Sequence, residues 1–396
     1  MRNWKLIVTV VCCLYFALAC GGGAAPTSAP VPPTPVPGTA TATAAGATLP
    51  AAPTVAPNAT GIAPETATPG DPNAITLLTK ADFGNDRNPL TGELVDDPAV
   101  LQRRPLAIKI SNAPPVYVRP QSGLNEADLV YEHTSEGSIT RLTAIFYGKS
   151  PPRVGPIRSA RLIDLELPAM YDAGLAFSGA SAGVNQRLNS SDFQSRIIYS
   201  SEPGYFRSGE DKPLEHTLYG NPADFWQALA AKGQNTPPAF NTFMAFSNNP
   251  PPGGQPASAV TLNYQWEIVE WRYDPAIGRY RRWAGGEPHL DGNTGEQVTA
   301  ANVIILTPTH VEDATICEEI RDGACAHLSI QIQLWGTGTG IVLRDGQQYP
   351  VTWHRVNRND MLTFTYSEGN SLPLQLGNSW VQLVPNWLEG PVQISP

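Results

Sequence analysis

Leu129-Val130-Tyr131-Glu132-His133 is a run of β-forming residues that carries a carboxylate and an imidazole side by side. As a strand it sends Val130 and Glu132 to one face and Tyr131 and His133 to the other. Two runs beside it read the same way: Pro105-Leu106-Ala107-Ile108-Lys109-Ile110-Ser111 before it and Arg141-Leu142-Thr143-Ala144-Ile145-Phe146-Tyr147 after it. A carboxylate on a buried face needs a cationic partner. Arg141, on the next strand, is the nearest candidate for Glu132, and Asp128 reads as a strand-start turn residue.

Outward from these strands, Leu175-Ala176-Phe177-Ser178 suggests a further strand. A clear helix follows. Asn221 suits its N-cap, Pro222 its first turn, Asp224 its positive end and Gly233 its stop, with Phe225, Trp226, Leu229 and Ala230 as the buried stripe. Residues 234–257 are rich in Pro, Asn and Gly, and beyond them almost every run is strand-like. The clearest is a hairpin of Ile341-Val342-Leu343-Arg344 and 349–353, joined through Asp345-Gly346, a preferred two-residue turn. The expected fold class is therefore α+β: a mixed sheet-and-helix N-terminal domain over 86–235, a linker over 236–257, and a mainly β C-terminal domain over 258–390.

The N-terminus reads as an export signal, residues 1–20. Arg2 and Lys5 precede an apolar run that is too short to span a membrane as a helix. It ends Ala17-Leu18-Ala19-Cys20-Gly21, which resembles a bacterial lipobox with Cys20 as the lipidated residue, although Ala17 replaces the usual larger aliphatic; an ordinary secretory cleavage is the alternative. Residues 21–75 are almost wholly Ala, Pro, Thr and Gly, a composition that cannot bury enough apolar surface to order itself. They read as a tether with an upper reach on the order of 150 Å. The expected location is thus the extracytoplasmic side of a bacterial membrane, held through lipid, with an envelope ligand or protein as partner.

The formal charge of −9, with no basic stripe, excludes nucleic acid as a partner. Cys317 and Cys325 remain after export and suit a disulfide in an oxidising compartment. The rival is a two-thiolate metal site, which lacks close Cys-x-x-Cys spacing and has His310 and His327 as its nearby imidazoles. No Walker loop, dinucleotide fingerprint, His-Glu-x-x-His or Gly-x-Ser-x-Gly is present. No cofactor or metal is expected, and nothing in the motifs marks an enzyme.

The chemical centre of gravity is Val154-Gly155-Pro156-Ile157-Arg158-Ser159-Ala160-Arg161-Leu162-Ile163-Asp164. A helix capped by Ser159 and ended or kinked by Pro168 would put Arg158, Arg161 and Asp164 on one flank and leave free N–H groups at its start. With Arg141, Glu132 and His216 these residues form a candidate anion- or polar-ligand corner. The competing reading is structural: Arg161 with Asp164, and Arg158 with Glu132 or Glu126, as ion pairs locking helix to sheet. A second functional reading makes Glu132 the acid/base of an envelope hydrolase beside His133 or His216.

These motifs resemble a known family. Asn88-Pro89-Leu90-Thr91-Gly92, the run from Arg104 to Asn112, Arg119-Pro120-Gln121-Ser122-Gly123-Leu124, 127–132, Ile139-Thr140-Arg141 and Gly155-Pro156-Ile157-Arg158-Ser159-Ala160-Arg161 are similar in kind and order to the YerB-like candidate lipoproteins. The resemblance covers about residues 86–235 and 258–390 and implies a two-part bacterial envelope lipoprotein of unknown function. Members often carry His-Asn near the position of His216, whereas Thr217 follows here.

Overall fold

In the computed structural model, residues 77–366 and 368–396 are described. The expected signal peptide, Cys20 and the tether lie outside the described residues. The N-terminal part supplies β1 (Leu106–Ser111), β2 (Leu129–Thr134), β3 (Thr140–Phe146), β4 (Gly174–Ala176) and β5 (Ile197–Ile198), with helices α1 (Ala182–Asn189) and α2 (Pro222–Ala231). The C-terminal part supplies β6 (Ala259–Asn263), β7 (Ile268–Asp274), β8 (Arg279–Ala284), β9 (Asn302–Leu306), β10 (His310–Arg321), β11 (Ala324–Ile332), β12 (Gly336–Arg344), β13 (Gln347–Arg355), β14 (Ser379–Leu383) and β15 (Val392–Ser395). The mixed first part and the strand-rich second part agree with the expected class. Among the described residues no helix is long and apolar enough to cross a membrane.

One large sheet runs through both parts, with its labelled strands in the order β13-β12-β9-β14-β2-β3-β1-β4-β5. The join is the parallel pair β14–β2, in register from Ser379 opposite Leu129 to Leu383 opposite His133. Strand β2 is therefore central, which is why its residues are buried on both faces. Alternation then divides them. Leu129 and Tyr131 enter one core with Leu162, Ile163, Val184 and Leu188, while Val130 enters the other with Phe225, Trp226 and Leu229 of α2 and Val260, Trp271 and Tyr280 of the second sheet. That second sheet is built on β8-β7-β6-β15.

The local signals explain most elements. The Asn221 side chain accepts from the Ala223 N–H at 3.0 Å and caps α2, whose first residue is Pro222. Asp345 and Gly346 both take positive φ, as the tight turn between β12 and β13 requires. The expected helix at Ser159 is a correction. Arg161 is extended, a 3-10 turn covers Leu162–Leu165, and a four-residue helix, Leu167–Met170, carries Pro168 in its first turn. The Asp164 carboxylate accepts from the Arg161 backbone N–H at 2.7 Å, so the chain turns there instead of coiling from Ser159. The β10–β11 hairpin is the longest of the strand pairs in the C-terminal part. Much of β10 is exposed and polar, so it shows little apolar alternation.

Candidate functional site

Because Glu132 and His133 face opposite sides of β2, they stand in two separate polar layers. The layer on the His133 side centres on Lys109, fully buried in β1. Its ammonium donates to His133 Nε2 at 2.6 Å, to Thr143 Oγ1 at 3.0 Å and to Asp164 Oδ2 at 2.8 Å. Those three bonds use all three N–H groups, so no donor is left for a ligand. Since Lys109 donates to Nε2, the His133 proton sits on Nδ1 and goes to the Thr134 carbonyl at 3.0 Å. Burial, then the Lys109 charge, holds His133 well below the ordinary imidazole range. Burial brings Lys109 down to about 8 against the pull of Asp164.

Above this layer lie the predicted arginines. Arg141 donates to the Ser159 carbonyl at 2.8 Å and to Glu136 Oε1 at 2.6 Å. Arg161 grips the same Glu136 with two of its nitrogens and lies 3.4 Å from Glu318 Oε2. Burial tends to raise the Glu136 carboxyl, but the Arg161 hydrogen bonds and both guanidinium charges take it down to about 2. Arg158 is half-buried, with Nη1 3.4 Å from the Glu215 carbonyl oxygen, and Ser159 is half-exposed. His216 is buried, stacks on Tyr117 with ring centroids 5.4 Å apart, and is not brought to Glu132. The expected pairings of Arg161 with Asp164, of Glu132 with Arg141, and of Arg158 with Glu132 or Glu126 are corrected: Asp164 holds Lys109, Glu132 pairs with Arg282, Glu136 holds Arg141 and Arg161, and Arg158 donates to the Glu215 carbonyl.

Glu132 belongs to the opposite layer and pairs with Arg282 of β8 at 2.7 Å, both side chains fully buried. A closed circuit of hydrogen bonds follows. Arg282 donates to His289 Nδ1, and His289 Nε2 donates to Gln121 Oε1 at 2.6 Å. The Gln121 amide donates to Asn112 Oδ1 at 3.0 Å, and the Asn112 amide donates to Glu132 Oε1 at 3.1 Å. Arginine can only donate, so His289 is neutral with its proton on Nε2, and burial with the Arg282 charge holds it well below its usual range. Thr140 adds a hydroxyl to Glu132 at 3.0 Å. The Arg282 guanidinium also lies 4.9 Å from the Trp380 ring centroid.

This circuit abuts a cleft of about 380 Å³ between the two parts of the chain. Pro115, Arg119 and Pro120 line it from one side, and Glu267, Ala284, Gly285, Pro288, His289 and Leu290 from the other. Arg119 donates to Glu267 at 2.7 Å, and its buried Nε has no hydrogen-bond partner among the described residues. Arg119, Gln121 and Glu132 were legible as motif residues but not as neighbours. Arg282 and His289 were missed, since nothing in their local pattern announces a partner on β2. Lys109 was missed as a site residue, although a lysine inside an apolar strand signals a buried carboxylate. Elsewhere, Asp128 stands at a bend just before β2, and its buried carboxylate binds across to other segments. It accepts from the Tyr147 and Gly148 N–H groups and from Asn88, and burial raises its carboxyl to about 6. Cys317 and Cys325 form a disulfide, and no cluster fit to hold a metal ion occurs among the described residues.

Comparison with known proteins agrees with this two-part design. Residues 90–235 match the family model described as protein of unknown function (DUF3048), N-terminal domain, and residues 260–381 match the C-terminal domain of the same family. YerB of Bacillus subtilis (strain 168), named as a candidate lipoprotein, is 29% identical over 304 residues, which is 75% of this chain and 86% of that protein. The crystal structure of the Bacillus subtilis YerB protein matches with a TM-score of 0.65 at 28% identity, covering 78% of this chain and 99% of that one. Both domain models match in order and together span most of the folded chain, so the chain belongs to the DUF3048 family of two-domain proteins of unknown function.

Proposed function

We propose that this protein is a lipid-anchored, extracytoplasmic binding or accessory protein of the bacterial envelope, and that its ligand sits in the cleft beside Arg119, Glu267 and His289. The address rests on the signal-like N-terminus, Cys20, the tether and kinship with YerB. One observation carries the site. Residues of separate family motifs, Asn112, Gln121, Glu132 and Thr140, meet Arg282 and His289 in a buried hydrogen-bonded circuit next to an open cleft with largely apolar walls. Such an arrangement, apolar walls with a few fixed polar groups at a junction, is the usual form of a small-ligand site.

The chemistry favours a sugar ring over an anion. The arginines that suit an anion, Arg141 and Arg161, are already held by Glu136 and Glu318. The cleft instead offers prolines and Leu290 for an apolar ring face, while Glu267 and Glu287 disfavour a polyanion. Titration of the detergent-solubilised full-length protein with chitotetraose, a neutral amino-sugar oligomer, tests this. Leu290 is 41% exposed, so Leu290→Glu blocks the wall without disturbing the core. Saturable binding that Leu290→Glu abolishes is the expected result. No binding by the unaltered protein, or binding indifferent to Leu290→Glu, refutes the reading.

A further inference from the structure

The β10–β11 hairpin reaches from the C-terminal part back over the N-terminal part, and a disulfide sits within its grip. Ladder partners run Asp313 with Ser329 and then Cys317 with Leu328, so β10 carries extra residues between them. That bulge turns Ile316 inward. It is 3% exposed and packs on Gly183 of α1, where an added Cβ would lie 2.7 Å from Ile316 Cγ1. Glu318, two residues on, is also drawn in. It accepts from Ser329 Oγ at 2.6 Å and reaches Arg161. Asp313 ties the base of the hairpin to Arg187 of α1 at 2.6 Å, and His327 lies 3.6 Å from where a Cβ on Gly137 would stand, beside Glu136.

Cys317 lies directly between Ile316 and Glu318, the two residues that grip. Its partner Cys325 is exposed. A reductant in solvent can therefore reach a bond that holds an irregular, mostly polar hairpin in register. The tip residues Ile320 and Arg321 project outward.

We propose that this hairpin is a redox-sensitive clasp over the Arg141–Arg161 layer, released by a reductant of the dithiol class. A thiolate of the reductant attacks Cys325 Sγ, the Cys317–Cys325 bond breaks, and Cys317 leaves as a thiolate that takes up a proton. The reductant's second thiol, deprotonated, then displaces Cys325 from the mixed disulfide. The protein gains two electrons and two protons as two thiols, and the reductant departs as a disulfide. Release frees Ile316 from Gly183 and Glu318 from Arg161, and the layer that they seal opens to solvent.

Hydrogen exchange on the full-length protein in detergent, oxidised and then with excess dithiothreitol, tests the clasp. Reduction should speed exchange by about tenfold or more in 136–141, 158–165 and 182–189, as expected for local opening when a short disulfide loop is released. Exchange in 302–306 and 379–383 should not change. The Cys317→Ser/Cys325→Ser double variant should show the same pattern without reductant. Unchanged exchange in the three segments overturns the proposal, and so does a uniform rise along the whole chain, which would mark the disulfide as a general stabiliser.

Discussion

Adjacent residues on β2 take part in different chemistry because a strand turns each side chain to the opposite face. Glu132 and His133 differ by one position, yet one pairs with Arg282 and the other with Lys109. An acid/base pair built from these two is geometrically closed, and neither has an unpaired charge to offer. The Glu132–Arg282 pair is the more exacting, since both side chains are removed from water. Arg282→Met would leave the carboxylate with Asn112 and Thr140 as donors but without its countercharge. The expected loss is about 3–5 kcal/mol, because an uncompensated buried charge is costly. Glu132→Gln added to Arg282→Met should recover most of it, since a neutral amide needs no countercharge. Urea denaturation of the single and double variants measures both. A double variant as unstable as the single one would mean that Arg282 acts by packing against Trp380 and Trp271 and not by its charge.

Among the elements, those with a self-contained local signal were the ones that sequence could specify. The β12–β13 hairpin is the clearest. Gly346 has φ +71, and a Cβ there would stand 2.8 Å from Tyr273 Cδ1 in the neighbouring sheet. Gly346→Ala therefore meets both backbone strain and a close contact, and should lower stability by roughly 1–2 kcal/mol. A thermal melt within experimental error of the parent would show that the turn can change type. The same logic marks where reading failed. Asn221-Pro222 caps α2 through its own side chain, so α2 was legible. Ser159 had the right type for a cap, but the backbone N–H of Arg161 found the Asp164 carboxylate, and Asp164 was placed by Lys109 from a different strand. The arginine corner was legible as a cluster of charge. Its carboxylates were not, because Glu136 sits on a short turn and Glu318 on a bulged hairpin far along the chain.

For the whole molecule, the two family domains are separate in sequence but share structure. The described residues belong to one compact unit. Strand β14, near the C-terminus, lies between β9 and β2, so the N-terminal part ends in an open sheet edge whenever the C-terminal part is absent. The buried circuit has the same property. Asn112, Gln121 and Glu132 come from one part and Arg282 and His289 from the other, and each half alone would leave buried polar groups without partners. The Pro-, Asn- and Gly-rich run 236–257 is thus a boundary in composition, while its Met244 and Phe246 are buried in the core that also holds Leu129 and Leu374. We predict a single unfolding transition. Far-UV circular dichroism and tryptophan fluorescence should give coincident urea curves, because Trp226 reports the first part and Trp271 and Trp380 report the junction. A fragment of residues 77–235 should lack a cooperative transition, since it exposes the β2 edge and loses the apolar face of Val260, Trp271 and Tyr280 that covers Val130. Two resolved transitions, or a fragment that melts cooperatively by itself, would show that the β2–β14 ladder only docks two independently folding domains. In that case the circuit at Glu132 would form after folding, and the cleft beside it would be free to open as the domains part.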